Sequence, residues 1–437
     1  MLIKSLVLVI IFLAITPTYA IFSVKSFLLL LLAFLILNVF SFRKKTIKKH
    51  LAVNTAGQKD FIIVALLILL AYSSQNYGGI YQIRQSLTLG DFIFSIFSIY
   101  VTYCMIIIEN GPKLVHILSV FIFLGVLTVV NAPSPYVDTF YVFSEAPRQF
   151  IQGQNPYAAT FSKIYENITP DYYNYLPFSF VFLSPFVLVF SDPRYAIIFA
   201  MFFSGLILYY LPPQKQKINA SAFFVAAFLF LPRSFYMLEH VYFDTIIFLF
   251  FLLFVHFFYK RKNFKMAFLM LGLFYSFKQH FILTLPFLMQ NKIILKKALK
   301  PSSLILFFAP FSLPLYYLLI DHQAFLEDVL FGVMPGRYTA PINRSLTLPT
   351  FVKNISLGPV VSDGFSVYWI GLIAFIIFYF LILKSKIFWL EKVTLFFFGF
   401  SILAYHGFFN SYYLVALFLL FNIACDYFNI NLNLQDD

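Results

Sequence analysis

Apolar residues run along the chain in long continuous blocks separated by short polar breaks. The blocks fall near 5–20, 27–42, 60–73, 90–108, 114–131, 194–211, 218–232, 242–259, 265–277, 280–290, 302–320, 365–384, 393–406 and 411–427. A membrane-crossing helix takes about 20 mostly apolar residues, and fewer where it is broken or re-entrant. The pattern therefore predicts an all-α polytopic membrane protein, a bundle of about 12–14 transmembrane helices. A β-barrel is excluded, because barrel strands alternate apolar and polar positions and these runs do not. The two runs flanking Lys278 are short, which predicts tilted or broken helices there. A further apolar run at 178–190 would invert every later basic cluster if it crossed. It is expected to lie along the interface or to dip in and return.

Composition sharpens this picture. The 437 residues are 61% hydrophobic and 11% charged, with 62 Phe, whereas about a quarter of residues are charged in soluble domains. Cys104 and Cys425 are the only cysteines, so no disulfide framework is implied. The net charge of +13 lies in short clusters between apolar runs rather than in one basic face, which argues against nucleic acid. With the N-terminus inside, Arg43-Lys44-Lys45, Lys215 with Lys217, Lys260-Arg261-Lys262, Lys296-Lys297 and Lys384 with Lys386 all face the cytoplasm. Both termini are then cytoplasmic in a multi-pass cell-membrane protein. Residues 1–20 read as a first span, and a cleaved signal peptide is the alternative. The chain divides into an N-terminal block of five spans (1–131), a first extracytoplasmic loop with short interfacial helices (132–193), and the remaining bundle (194–437), which includes an outer loop at 321–364.

The polar chemistry gathers outside. After Ala132-Pro133-Ser134-Pro135, the residues Asp138, Tyr141, Glu145 and Arg148 recur at i, i+3, i+7 and i+10, one face of a short helix. Gly153 should stop that helix, and Asn155-Pro156 should turn the chain. Asp138 stands at the membrane–water boundary, where a carboxylate can cap the helix or meet both a lipid headgroup and a soluble hydroxyl. Glu145 and Arg148 are spaced for an ion pair. The other outer ionisable groups are Glu239, His240, Asp244, Lys278, His280, Arg337, Arg344 and His406. Such groups at membrane depth are costly and mark candidate sites. Lys278 can either hold a phosphate as a point charge or snorkel to the interface. His240 and His406 each have an ordinary reading as hydrogen-bonded histidines at helix ends.

Asp138 and Tyr141, then Gly153-Gln154-Asn155-Pro156-Tyr157, then Tyr175-Leu176-Pro177, resemble the first extracytoplasmic loop of GT-C glycosyltransferases. The stretch is most similar to glycosyltransferase family 87, the polyprenol-phosphate-mannose-dependent mannosyltransferases. Leu238-Glu239-His240-Val241 stands where those enzymes carry a Gly-Gln pair, and Lys278 where they often carry a Lys. Asn343-Arg344-Ser345-Leu346 resembles their Asn-x-Ser-Leu motif. Phe140 occupies the place of a second acid found in the related GPI mannosyltransferase. The resemblance covers roughly 130–430.

What the resemblance implies is an inverting transfer of a sugar, mannose by family default, from a polyprenyl-phosphate donor to an extracytoplasmic glycan or glycolipid acceptor. Asp138 would be the general base. Lys278, Arg344 and His406 would hold the donor phosphate. Tyr141, Glu145, Glu239, His240 and Asn343 would line the substrate. With a single acid at the key position no metal is expected, and no cofactor; the partners are the lipid-linked donor, the acceptor and membrane lipid. Three other readings stay open, one of them a membrane scaffold without chemistry. An O-antigen ligase or polymerase would use the later loop with Arg337 and Arg344. A secondary transporter or lipid flippase would match the span count, but would be expected to show paired broken helices in its two halves.

Overall fold

The computed structural model describes residues 1–47, 55–108, 111–162, 173–212, 218–331, 344–355, 364–404, 407–430 and 432. Among them the chain is helical without named strands; one isolated bridge joins Ile21 and Ser345. The helices in chain order are α1 (Leu2–Ile15), α2 (Val24–Ile47), α3 (Thr55–Ser74), α4 (Arg84–Ile106), α5 (Leu114–Asn131), α6 (Asp138–Ile151), α7 (Phe178–Phe190), α8 (Arg194–Tyr210), α9 (Ile218–Leu229), α10 (Ser234–Glu239), α11 (Asp244–Val255) and α12 (Phe264–Tyr275). They continue with α13 (Leu285–Met289), α14 (Lys292–Ala298), α15 (Pro301–Phe308), α16 (Ser312–Ile320), α17 (His322–Leu326), α18 (Leu348–Ile355), α19 (Gly364–Lys384), α20 (Trp389–Leu403) and α21 (Phe409–Tyr427).

Among the described residues, seven stretches are long and apolar enough to cross a membrane: Val24–Arg43, Gly57–Ser74, Arg84–Ile106, Leu114–Asn131, Pro301–Ile320, Val367–Lys384 and Phe409–Tyr427. An eighth is reached if α7 and α8, bent by 111° at their break, count as one span. This is fewer than the fourteen apolar runs of the sequence, for a local reason. Several runs are interrupted before they reach membrane length. The run at 218–232 ends in α9, because Pro232 and a left-handed Arg233 (φ 65°) turn the chain. The run after Lys278 starts as a 3-10 turn, Gln279–Thr284. The bend between α7 and α8 fits a broken span and a re-entrant loop alike.

The lipid-facing character is plain in what stays exposed. Ile99 is 68% and Leu319 76% exposed, alongside many other Leu, Ile and Val side chains. Apolar area of that extent suits a hydrocarbon surrounding and not water. By contrast α11 and α21 are apolar almost all round and are buried within the protein.

The chain forms two compact units. The first comprises Met1–Tyr72, Thr284–Lys292 and Pro335–Asn431. In it α1 packs on α2 and α21, and α20 lies against α19 and α21. Its interior holds a buried ion cluster. Lys4, 2% exposed, places its ammonium 2.8 Å from both Glu391 and Asp426. Lys392 donates to the Leu383 and Ser385 carbonyls at 3.2 and 2.6 Å, a cation at the C-terminus of α19 where the helix dipole favours one.

The second unit comprises Ser73–Leu283, Ile293–Met334 and Leu432–Asp437. Here α11 packs between α8 and α12, α12 packs on α15, and α5 meets α4, α8, α9 and α10. The amphipathic α6 lies on α7. Val142, Phe143, Ala146 and Pro147 face inward, while Asp138, Tyr141, Glu145 and Arg148 form the half-buried to exposed face that the spacing predicts. Phe143 anchors it, its ring 4.4 Å from that of Phe243 and 4.9 Å from that of Tyr175. The helix ends at Ile151, followed by Gly153 at φ 74°, a left-handed turn that glycine adopts freely.

Candidate functional site

The start of α6 is fixed from below by an arginine. The chain leaves α5 through Ala132-Pro133, so the last carbonyls of α5 lack helical partners. The wholly buried Arg194, at the start of α8, supplies them. Its Nη1 donates to Ala132 O at 2.6 Å and its Nη2 to Val129 O at 3.2 Å. Asp192 neutralises the guanidinium through Nε (2.9 Å) and Nη2 (2.5 Å). The same guanidinium lies 4.9 Å from the ring centre of Phe140, two residues past Asp138. One buried cation thus ties the end of α5 to the first turn of α6.

Asp138 occupies the first helical position, with Val137 as the N-cap. Its Oδ1 accepts from the Thr139 N–H at 2.8 Å. It therefore does contribute to the helix start, and the rest of the carboxylate remains available. Burial pushes its carboxyl above the usual aspartate range, against the pull of the backbone N–H groups beside it. A carboxylate so raised is a stronger base than one in water. Thr139 donates through Oγ1 to the His240 carbonyl at 2.5 Å, which joins the first turn of α6 to the end of α10.

The turn at 238–242 is tightly made. The Val241 N–H bonds Leu238 O at 3.2 Å and the Tyr242 N–H bonds Met237 O at 3.0 Å, the paired bonds of a Schellman ending. The left-handed position belongs to Val241 (φ 56°), where glycine is usual. A β-branched residue there is strained, and such strain gathers at functional positions. The turn fixes the directions of His240 and Tyr242 on either side of Val241.

Glu239 reaches a third segment. Its two carboxylate oxygens accept from Ile80 N (2.6 Å) and Tyr81 N (3.0 Å). Burial raises this carboxyl, and the two N–H groups counter the rise. The loop before α4 is held further by Tyr77, whose hydroxyl lies 3.1 Å from Leu124 O and from Thr128 Oγ1 in α5. Tyr77 fits because residue 90 is glycine: a Cβ there would stand 1.9 Å from its ring. Tyr81 in turn donates from its hydroxyl to the Tyr136 carbonyl at 2.5 Å, two residues before Asp138. His240 is surrounded by a cluster of rings: Tyr236 at 4.0 Å, Tyr242 at 5.5 Å and Tyr81 at 5.6 Å between centroids. Desolvation lowers its imidazole to about 3, so it is neutral at ordinary pH. Its Nδ1 lies 3.2 Å from Tyr236 O, which makes Nδ1 the protonated nitrogen and leaves Nε2 as an acceptor.

Lys278 is paired. Its ammonium is 3.0 Å from Oδ1 of the buried Asp244, at the first position of α11. It also stands 5.4 Å from the ring centre of Tyr175. The charges of Asp244 and Asp138 both act on that phenol. Tyr175 is positioned by Tyr157, whose hydroxyl donates to the Tyr175 carbonyl at 2.8 Å, and the next residue, Leu176, donates its N–H to Phe277 O at 3.0 Å. Tyr173 is bound beneath, its N–H to Asp328 at 2.7 Å and its hydroxyl to Ser179 at 2.7 Å.

Of the residues singled out by sequence, Asp138, Glu239, His240 and Lys278 therefore gather in the second unit. Tyr141 is half-buried on α6, its ring 5.4 Å from that of Phe140. Glu145 accepts from the Ser162 N–H at 3.0 Å, and Arg148 donates to Ser191 O at 3.2 Å, so the ion pair suggested by their spacing does not form. Arg344 belongs to the first unit and is exposed, its carbonyl accepting from Phe22 N at 2.8 Å. The residues after it form a buried hydroxyl cluster, with Ser345 3.1 Å from Thr350 and Thr347 3.0 Å from Thr350. Asn343, Arg337 and His406 lie outside the described residues. Among the described residues, no three His, Cys, Asp or Glu side chains stand close enough to hold a metal ion.

Sequence reasoning passed over Tyr81, Tyr242 and Arg194; it named Tyr175 only within a motif of the resemblance, and Asp244 without its lysine. No family model matches the chain, and the comparisons with curated proteins and with solved structures likewise find no match.

Proposed function

We propose that this multi-pass membrane protein is an inverting glycosyltransferase. It would move a sugar, mannose first among the candidates, from a polyprenyl-phosphate donor to a glycan or glycolipid acceptor on the extracytoplasmic side of the cell membrane. The observation that carries the reading is Asp138, a half-buried carboxylate raised by burial, whose charge acts on the same phenol, Tyr175, as the Asp244 of the Lys278 ion pair.

The chemistry follows from those groups. A sugar hydroxyl is a poor nucleophile until its proton is taken. Asp138 would take that proton as the hydroxyl oxygen attacks the anomeric carbon, and a placed base contributes roughly 10²–10⁴-fold to such a step. The bond from the anomeric carbon to the phosphate oxygen breaks with inversion. The polyprenyl phosphate leaves as an anion, which needs a cation and no proton. Lys278 has three N–H donors, and Asp244 engages one of them, so the others remain for phosphate oxygens. His240 is neutral and buried, so it would support the tyrosines around it and not serve as a second cation. Arg344, Asn343 and His406 remain candidates from the family resemblance alone.

The test supplies polyprenyl-phosphate-mannose and an extract of membrane glycans to the protein in nanodiscs, with and without EDTA. Consumption by the wild type and its loss in Asp138→Asn supports the reading. Equal consumption by both leaves the transferase and returns Asp138 to its helix. No consumption of any of several lipid-linked sugars rejects the transferase in favour of a ligase or a transporter.

A further inference from the structure

We propose that the rings of Tyr81 and Tyr242, with the carboxylate of Asp138, form a subsite for the pyranose ring of the acceptor. This rests on the glycosyltransferase reading and assigns it two residues from segments far apart in sequence. The placement is built from both sides. Tyr81 is held at its backbone by Glu239 and at its hydroxyl by Tyr136 O. Tyr242 is held by the left-handed turn at Val241. His240 neighbours both rings, at 32° to the Tyr81 plane and 23° to the Tyr242 plane. Thr139 bonds the His240 carbonyl, which sets this cluster against the first turn of α6. The charge of Asp138 bears on the phenols of Tyr81 and Tyr242 as well as Tyr175.

Exposure separates the working surface from its support. Tyr81, Tyr242, Tyr175, Asp138 and Lys278 are half-buried, while His240, Glu239 and Asp244 behind them are buried. The accessible groups are therefore aromatic rings and a carboxylate, with the Lys278 ammonium beside Tyr175. A pyranose offers the matching chemistry: a face of C–H bonds for the rings and hydroxyl donors at its edge for an acceptor-only carboxylate. A phosphate would meet like charge at Asp138 and belongs on the Lys278 side. An organic ammonium is the other ligand that aromatic rings and a carboxylate can hold. It is best served by rings that enclose it, whereas each of these rings already has the buried His240 imidazole as a neighbour, 5.6 Å from Tyr81 and 5.5 Å from Tyr242.

The experiment is saturation-transfer NMR on the full chain in nanodiscs, with methyl α-mannoside, methyl α-glucoside, methyl β-galactoside and choline as separate probes. Tyr81→Leu and Tyr242→Leu keep an apolar side chain and remove the π face; Tyr81→Phe and Tyr242→Phe keep the face. Transfer to the ring C–H protons of at least one glycoside is expected. The Leu variants should weaken it by about fivefold, and the Phe variants should retain it. No glycoside signal with wild type, a signal on choline alone, or a glycoside signal unchanged in both Leu variants would each overturn the proposal. Donor consumption separates this result from the parent reading. Glycoside binding through Tyr81 without any sugar transfer removes the transferase and keeps the subsite. Transfer with an acceptor KM unaltered in both Leu variants removes the subsite and keeps the transferase.

Discussion

Glu239→Gln is the most direct probe of how the site is held. The carboxylate serves two backbone donors with two separate oxygens, at 2.6 Å to Ile80 and 3.0 Å to Tyr81. Glutamine has the same length but one acceptor oxygen, so one N–H must face an amide NH₂. A hydrogen bond to a charged group contributes about 1.5–3 kcal/mol, and a buried donor left without a partner costs about 1–3 kcal/mol. The neutral amide avoids the burial penalty that raises the Glu239 carboxyl, which offsets part of the loss. The balance is about 2 kcal/mol of local destabilisation, or roughly 30-fold in the opening equilibrium of the loop. Hydrogen exchange followed by mass spectrometry on peptides covering 76–86 should show Ile80 and Tyr81 exchanging about 30-fold faster, with helices such as α11 unchanged. The same variant should reduce sugar transfer, because Tyr81 and the Tyr136 carbonyl it binds would lose their anchor. Unaltered protection at 80 and 81 would refute the argument, as would a uniform loss across the whole chain.

Arg194→Met should destabilise the protein by about 3–5 kcal/mol, since it strands Asp192 and the Val129 and Ala132 carbonyls, and a melt in detergent should show Arg194→Lys falling in between. If Asp138 is the base, kcat/KM should fall on the acid side as the carboxyl takes up its proton. Because burial raises that carboxyl, the midpoint should lie above the ordinary aspartate value, and a profile still flat at about pH 4 would contradict it. Lys4→Met leaves Glu391 buried without its cation and should cost about 3–5 kcal/mol in thermal unfolding, most of which Lys4→Met with Glu391→Leu should restore. A double variant as unstable as the single one would place the cost elsewhere.

How much of this was legible depends on the range over which each feature is encoded. The helical membrane class, the α6 face with Asp138 at its head, and the stop at Gly153 are local: spacing of 3–4 residues and one glycine determine them. Span length was less legible, because it turns on single backbone breaks such as left-handed Arg233, which hydropathy does not register. The partners of the site residues were not legible at all. Glu239 meets Ile80 and Tyr81, Lys278 meets Asp244, and Arg194 meets Val129 and Ala132; none of these pairs shares a periodicity or a motif. They follow from a constraint that acts after folding. A charged side chain beneath a membrane boundary has little water, so it must find backbone ends or an opposite charge within the protein. The sequence announces the charge and leaves the partner open. That is also why a residue as ordinary as Tyr81, in the polar loop before α4, becomes part of the candidate site: the loop is drawn there by the need of Glu239 for two N–H groups, and its tyrosine arrives with it. Buried charges near a candidate base are then most informative read backwards, from each charge to the segment it recruits, because the recruited segment supplies the surface that substrate meets.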